Sequence, residues 1–214
     1  ALKFYRESLK VFRDLADPYY EAMCLNNIGG VYLSTGQFSD ALTNFKLALQ
    51  LRQKMGASLD IAETLHNMGE TSVGMSRYNQ ALDHYLHALP LWRTAGDRRK
   101  AAIESYSIGT VREYLGRYGQ MLESKEEAVG IFNDLDEGGY WQIVVLSGYG
   151  RALVLVGRFD EADENLNVAL RLAQELENAA FIVKVLESLG DSHFYRGELD
   201  EALRRYEEAS EAAL

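Results

Sequence analysis

The residues that could do chemistry are few and scattered. Cys24 is the single cysteine among 214 residues, so the chain holds no internal disulfide framework and fits a reducing compartment. A thiol nucleophile needs a nearby base that lowers its pKa, and no histidine lies close to Cys24 in the chain. It reads as a packed thiol. His84 and His87 sit at i, i+3 beside Asp83, whereas zinc usually takes three or four ligands. Exposed histidines are the simpler reading. The acidic pairs Glu126-Glu127, Asp163-Glu164 and Glu207-Glu208 are adjacent, so on a helix they diverge. Arg98-Arg99-Lys100, beside Asp97, falls in an expected loop and lacks an aromatic platform for nucleic acid. It reads as solvated charge, with a polar anchor for a partner as the alternative. No glycine-rich phosphate loop occurs, so no catalytic, cofactor or metal site is expected.

Composition narrows the class further. The chain is 47% apolar and 25% charged, with only Pro18 and Pro90 as prolines. Proline breaks helix interiors, so its scarcity permits a chain that is helical almost throughout. No run approaches the roughly 18 apolar residues that would span a bilayer. Lys3, Arg6, Lys10 and Arg13 interrupt every early apolar stretch, so no signal peptide is expected there. A cytoplasmic protein without a membrane partner is expected. The net charge of −10 is uneven: residues 1–120 carry 14 Lys+Arg and 12 Asp+Glu, residues 121–214 carry 8 and 20. The acidic half repels phosphate backbones, which argues against nucleic acid. It could serve solubility alone or dock a basic partner.

What positions these residues is a repeat. Gly29, Gly69, Gly109, Gly150 and Gly190 recur at steps of 40, 40, 41 and 40. Two further columns keep that register, one through Ala41, Ala81, Met121, Ala162 and Ala202, the other through Ala48, Ala88, Ala128, Ala169 and Ala209. A fixed period between roughly 20 and 50 residues marks a solenoid or array. Small residues in register let two helices approach at the same point of each unit. Turns at Gly36, Gly116, Gly157 and Gly197 divide each unit into two helices, glycine taking the left-handed conformation that ends the first. Ser39, Asn79, Gly119, Asp160 and Asp200 then read as N-caps of the second.

These columns resemble the tetratricopeptide repeat. That family places a small residue inside its first helix, an alanine at the start of its second, and an aromatic four residues later. Tyr5, Phe45, Tyr85 and Tyr206 fill the aromatic column here. The resemblance covers essentially the whole chain. It implies an all-α, right-handed α-solenoid of antiparallel hairpins: a half repeat over 1–16, then repeats over 17–56, 57–96, 97–137, 138–177 and 178–214. The family's common period is about 34 residues, so a 40-residue period is similar to the long-helix variety of kinesin light chains, polarity adaptors and bacterial signalling regulators. The third repeat departs from the pattern. Ser105 stands where other repeats carry leucine, Arg112 matches Tyr32, Lys125 replaces the aromatic, and Gly138-Gly139 follows in a loop. A softer joint is expected near residues 105–140. Both chain ends fall inside a repeat, which suggests a segment of a longer protein.

The resemblance further implies a concave face lined by the first helix of each repeat. Carried over residue by residue, the peptide-binding groove comprises Asn26, Asn27, Glu63, His66, Asn67 and Glu70 in the first two repeats. The later repeats add Tyr106, Glu113 and Tyr114, then Ser147 and Arg151, then Lys184, Glu187, Asp191 and Tyr195. Its charge favours a basic or neutral protein or peptide. Asn26 and Gly30 occupy the first repeat's positions for the basic clamp of chaperone-tail receptors, which argues against that role. Asn27 and Asn67 are expected as backbone grips, because a carboxamide both donates and accepts. The alternative is that they bridge neighbouring helices. A non-enzymatic interaction module within a signalling or regulatory protein is expected; a spacer or self-assembly segment is the runner-up. The apolar face of the first helix, with Leu2, Tyr5, Leu9 and Phe12, makes self-association a further expectation.

Overall fold

The computed structural model describes residues 1–135 and 139–213. Among them every regular element is an α-helix, and the chain divides into two compact units at Leu115/Gly116. Unit 1 holds α1 (Leu2–Asp14), α2 (Pro18–Ser34), α3 (Phe38–Met55), α4 (Ser58–Gly74), α5 (Tyr78–Thr94) and α6 (Arg98–Tyr114). Unit 2 holds α7 (Tyr118–Leu135), α8 (Tyr140–Leu155), α9 (Phe159–Glu175), α10 (Ala179–Arg196) and α11 (Leu199–Ala212). Within each unit successive helices pack antiparallel as hairpins. Alternate helices also touch, α2 with α4 and α8 with α10. No helix among the described residues is long and apolar enough to cross a membrane.

The glycine column is where hairpins close. A Cβ on Gly69 would stand 2.3 Å from the Tyr85 ring, one on Gly29 2.6 Å from Phe45, and one on Gly190 2.4 Å from Tyr206. Gly150 faces Leu166 at 2.6 Å instead. Only a residue without Cβ lets the opposing ring lie flat on the helix backbone. Phe45 and Tyr85 are consequently buried, in cores continued by Ala41 and Met68 and by Ala81 and Trp92. Each pair spans about one helical hairpin, so the fold is written in local contacts.

The turns follow one backbone pattern. The residue after the left-handed position donates its N–H back to the helix: Gln37 to Tyr32 O at 2.8 Å, Arg158 to Leu153 O at 2.9 Å, Glu198 to His193 O at 2.9 Å. This is the six-to-one closure that follows a left-handed residue. It corrects the expected caps. The second helices start at Phe38, Tyr78, Tyr118, Phe159 and Leu199, so Ser39, Asn79, Gly119, Asp160 and Asp200 lie inside the first turn. At α3, α5, α9 and α11 no side chain caps the helix. The tight turn already fixes the entry of the chain and leaves a cap little to add. Side-chain caps appear where repeats meet instead: Asp17 accepts from Tyr19 N and Tyr20 N, Asp97 from Lys100 N, and Asn178 from Phe181 N. Arg98-Arg99-Lys100 is likewise the first turn of α6 and not a loop; Lys100 Nζ lies 4.3 Å from the Trp92 ring centroid.

The division between units falls inside the third repeat, among the departures noted above. Ser105 is buried in unit 1. Lys125 is buried in unit 2, its Nζ donating to Gly148 O at 3.3 Å. Gly138 and the final Leu214 lie outside the described residues.

Candidate functional site

In unit 1 the groove positions of α2 and α4 meet across a short gap. Asn26 is buried, whereas Asn27 and Asn67 are half-buried. Asn67 Nδ2 donates to Asn26 Oδ1 at 3.3 Å, so this carboxamide bridges two helices and holds the groove floor. Asn27 flanks a cavity of about 250 Å³, with Tyr19 and Met23 on the same helix and Asp60 and Glu63 on α4 opposite. Its base is Arg52, from the last turn of α3. The Arg52 side chain is only 5% exposed. Its Nη1 donates to Asp60 O at 2.7 Å and to Thr64 Oγ1, which pins the start of α4. The two carboxylates stand farther off: Asp60 Oδ1 is 3.8 Å from Nη2, and Glu63 Oε2 is 3.7 Å from Nη1.

One turn along α4 a histidine meets a buried carboxyl group. His66 Nδ1 is 2.8 Å from Glu104 Oε2 on α6, and Glu104 is 1% exposed. His66 Nε2 is also 3.7 Å from Glu70 Oε1, and its ring tilts against Tyr85. Burial alone lowers the His66 pKa, but the hydrogen bond and charge of Glu104 and the charge of Glu70 outweigh it, so the net shift is upward. Burial raises the Glu104 carboxyl above its ordinary value, against the pull of His66 and the Trp92 indole. Glu104 Oε1 meets no hydrogen-bond partner among the described residues. The pair ties α4 to α6 at a desolvation cost that good geometry only partly offsets.

The remaining predicted positions are mixed. Tyr106 and Glu113 are half-buried on α6; Tyr114 is exposed but stacks on Tyr78 of α5, ring centroids 4.8 Å apart. In unit 2, Ser147 is buried, and its hydroxyl donates to Val144 O at 3.2 Å. That hydroxyl turns into its own helix. Arg151, Lys184 and Glu187 are exposed. Asp191 accepts from Tyr206 OH at 2.8 Å, and burial with that contact pushes the phenol pKa up to about 12. Tyr195 is 68% exposed at a cavity of about 370 Å³ whose walls include Leu155 and Phe159.

Cys24 is buried, which raises its thiol pKa. His87 Nδ1 lies 2.7 Å from the backbone oxygen of Asp83. Among the described residues no three His, Cys, Asp or Glu side chains converge as metal ligands.

The family model described as the tetratricopeptide repeat matches residues 1–54 and 142–214, more than half of the chain. The chain belongs to the tetratricopeptide repeat family. No curated protein matches it in sequence. Solved structures do match in fold. BtubC (BKLC) from P. vanneervenii superposes with a TM-score of 0.87 at 18% identity, over 99% of this chain and 89% of that one. A putative kinesin light chain with nearly identical TPR-like repeats from Podosopora anserina gives 0.75 at 13% identity, over 88% and 93%. A Rap protein complexed with competence and sporulation factor gives 0.75 at 14% identity, over 99% and 69%. The architecture is thus the all-α tetratricopeptide solenoid. Within this family framework, sequence reasoning missed Arg52 and Glu104. Both are charged residues buried at positions where the pattern suggests core, Arg52 at the base of the α2/α4 cavity and Glu104 against His66. A charge inside an otherwise apolar helix stripe was the available signal.

Proposed function

We propose that the chain is a non-enzymatic interaction module that binds a protein or peptide segment along the first-helix face of its repeats. The α2/α4 face of unit 1 carries this reading. There a tetratricopeptide scaffold presents Asn27, Glu63, Asn67 and Glu70 beside a polar cavity with both donors and acceptors. A Rap protein, similar in fold, is known in complex with a competence and sporulation factor, which supports a recognition role. Glu63, Glu70 and Asp60 select a basic or neutral ligand. Asn27 grips the ligand backbone, whereas Asn67 is held by Asn26 and acts as floor. Tyr106, Glu113, Tyr114, Arg151, Lys184, Glu187, Asp191 and Tyr195 extend the recognition surface within their own units. We read residues 1–214 as one cytoplasmic interaction domain with the repeat boundaries given above.

Calorimetry on a peptide that binds the chain tests this reading. Asn27→Ala should weaken binding by about 1–3 kcal/mol per lost hydrogen-bonded pair without loss of helicity. Unchanged affinity would remove Asn27 from the site. Self-association is the second reading, although not through the expected face. Leu9 is buried, and Leu2, Tyr5 and Phe12 pack against the core it shares with α2, so the exposed apolar residues are Phe4, Val11 and Leu15 at α1 and Leu199 and Leu203 on α11. Light scattering that stays monomeric at high concentration would contradict it.

A further inference from the structure

The cavity over Arg52 is built for a particular ligand group. Arg52 spends Nη1 on Asp60 O and Thr64 Oγ1, while no hydrogen bond from Nη2 or Nε is found among the described residues. A guanidinium carries five N–H donors in one plane, so one edge of a nearly buried cation remains open beside the cavity. Its two carboxylates sit at 3.7 and 3.8 Å, close enough to balance charge and too far for hydrogen bonds. One formal positive charge faces two negative ones, so the cavity carries a surplus of −1. A ligand carboxylate would find a donor but be repelled. A ligand cation would cancel the surplus.

We propose that this cavity is a subsite for one lysine or arginine side chain of a bound peptide. The cation lies between Asp60 and Glu63, its aliphatic stem rests on Tyr19 and Met23, and an adjacent peptide carbonyl accepts from the open edge of Arg52. The assignment rests on the peptide-binding reading above and sharpens it. It gives Arg52, a residue of a second helix, a direct part in recognition. It also makes the groove discriminate by charge at a single position, because acceptors and donors face each other across one side chain's width.

The test is a selection of short random peptides on the full chain, followed by affinity measurements on synthetic acetylated, amidated copies. The subsite predicts that binders carry Lys or Arg at one fixed position. Norleucine there should weaken binding about ten-fold or more. Glu63→Gln and Asp60→Asn should produce the same loss for the basic peptide and almost none for its norleucine version. Both carboxylates are partly exposed, so these isosteric variants leave the fold intact. Binders that respond to Asn27→Ala but lack a fixed basic residue, or show no coupling in this cycle, would overturn the subsite and leave the groove reading standing. Binders enriched in acidic residues at that position would overturn the subsite as well. Failure to select any peptide would overturn both.

Discussion

The two units solve the same packing problem with different electrostatics. In both, a glycine in one helix receives a ring or leucine from the next, as Gly69 with Tyr85 and Gly190 with Tyr206. Unit 1, residues 1–115, carries 13 Lys+Arg and 12 Asp+Glu; unit 2, residues 116–214, carries 9 and 20. Each unit buries some charge, unit 2 a single lysine, Lys125, and unit 1 one residue of each sign. Arg52 and Glu104 lie inside, each facing groove residues. Unit 2 keeps its acids largely outside and braces them with arginine, as in Arg158–Glu161, Arg204–Glu201 and Arg196–Asp163. The first two pairs are solvent-exposed and contribute little, whereas Arg196–Asp163 is partly buried. A buried charge is costly, and the proposed recognition face of unit 1 is the one that draws on such charges.

The largest effect expected from breaking this contrast comes from the buried pair. His66→Ala leaves the buried Glu104 carboxyl without its hydrogen-bond partner and should destabilise the chain by about 1–3 kcal/mol. Removing Glu161 from its pair with Arg158 should barely register. Chemical denaturation of the two variants decides this, and equal losses would erase the distinction between the units.

The second expectation treats the units alike. Gly69→Ala and Gly190→Ala each drive a Cβ into a tyrosine ring, which should cost roughly 1–3 kcal/mol. Gly130→Ala, on an exposed face of α7 with open space around its Cα, should gain roughly 0.5–1 kcal/mol instead. A loss in one unit only would show that the glycine–ring contact is not the shared closing element.

These glycine contacts explain what could be read from the sequence. Gly29, Gly69 and Gly190 admit no other residue under a ring, so the repeat was visible as columns and gave the hairpin fold. Asn26, Asn27 and Asn67 were placed correctly on neighbouring first helices for the same reason. The caps at Ser39, Asn79 and Asp200 were misplaced because backbone closure at Gln37, Arg77 and Glu198 needs no cap residue. For Arg52 and Glu104 the sequence shows only a charge within an apolar stripe; which partners they meet depends on how neighbouring side chains pack and not on spacing.

A third, smaller effect concerns the left-handed positions that lack glycine. Ser76 in unit 1 and Glu177 in unit 2 hold φ of 56° and 49°. Replacing either by glycine should gain about 1 kcal/mol by relieving the Cβ contact. Thermal melts that fall for both variants would refute the strain.

The smallest effect is the pH dependence of unit 1. His66 titrates above its ordinary value, so its contribution is fully present below about pH 6.5 and is lost as pH rises through the raised value. Glu104, also raised, has the same sign, because its burial is least costly when protonated. Amide exchange in α4 and α6 should therefore quicken as pH rises, after correction for intrinsic exchange. His66→Gln should remove the histidine part of that response and leave the part that comes from Glu104.

The most direct test of the central claim is amide and side-chain NMR mapping of a selected peptide bound to the chain. Shifts should concentrate on α2 and α4, at the Asn26, Asn27 and Asn67 carboxamides and near Glu63 and Glu70. Shifts confined to α1 and α11, or to the Lys46, Arg77 and His84 cavity between α3 and α5, would contradict it.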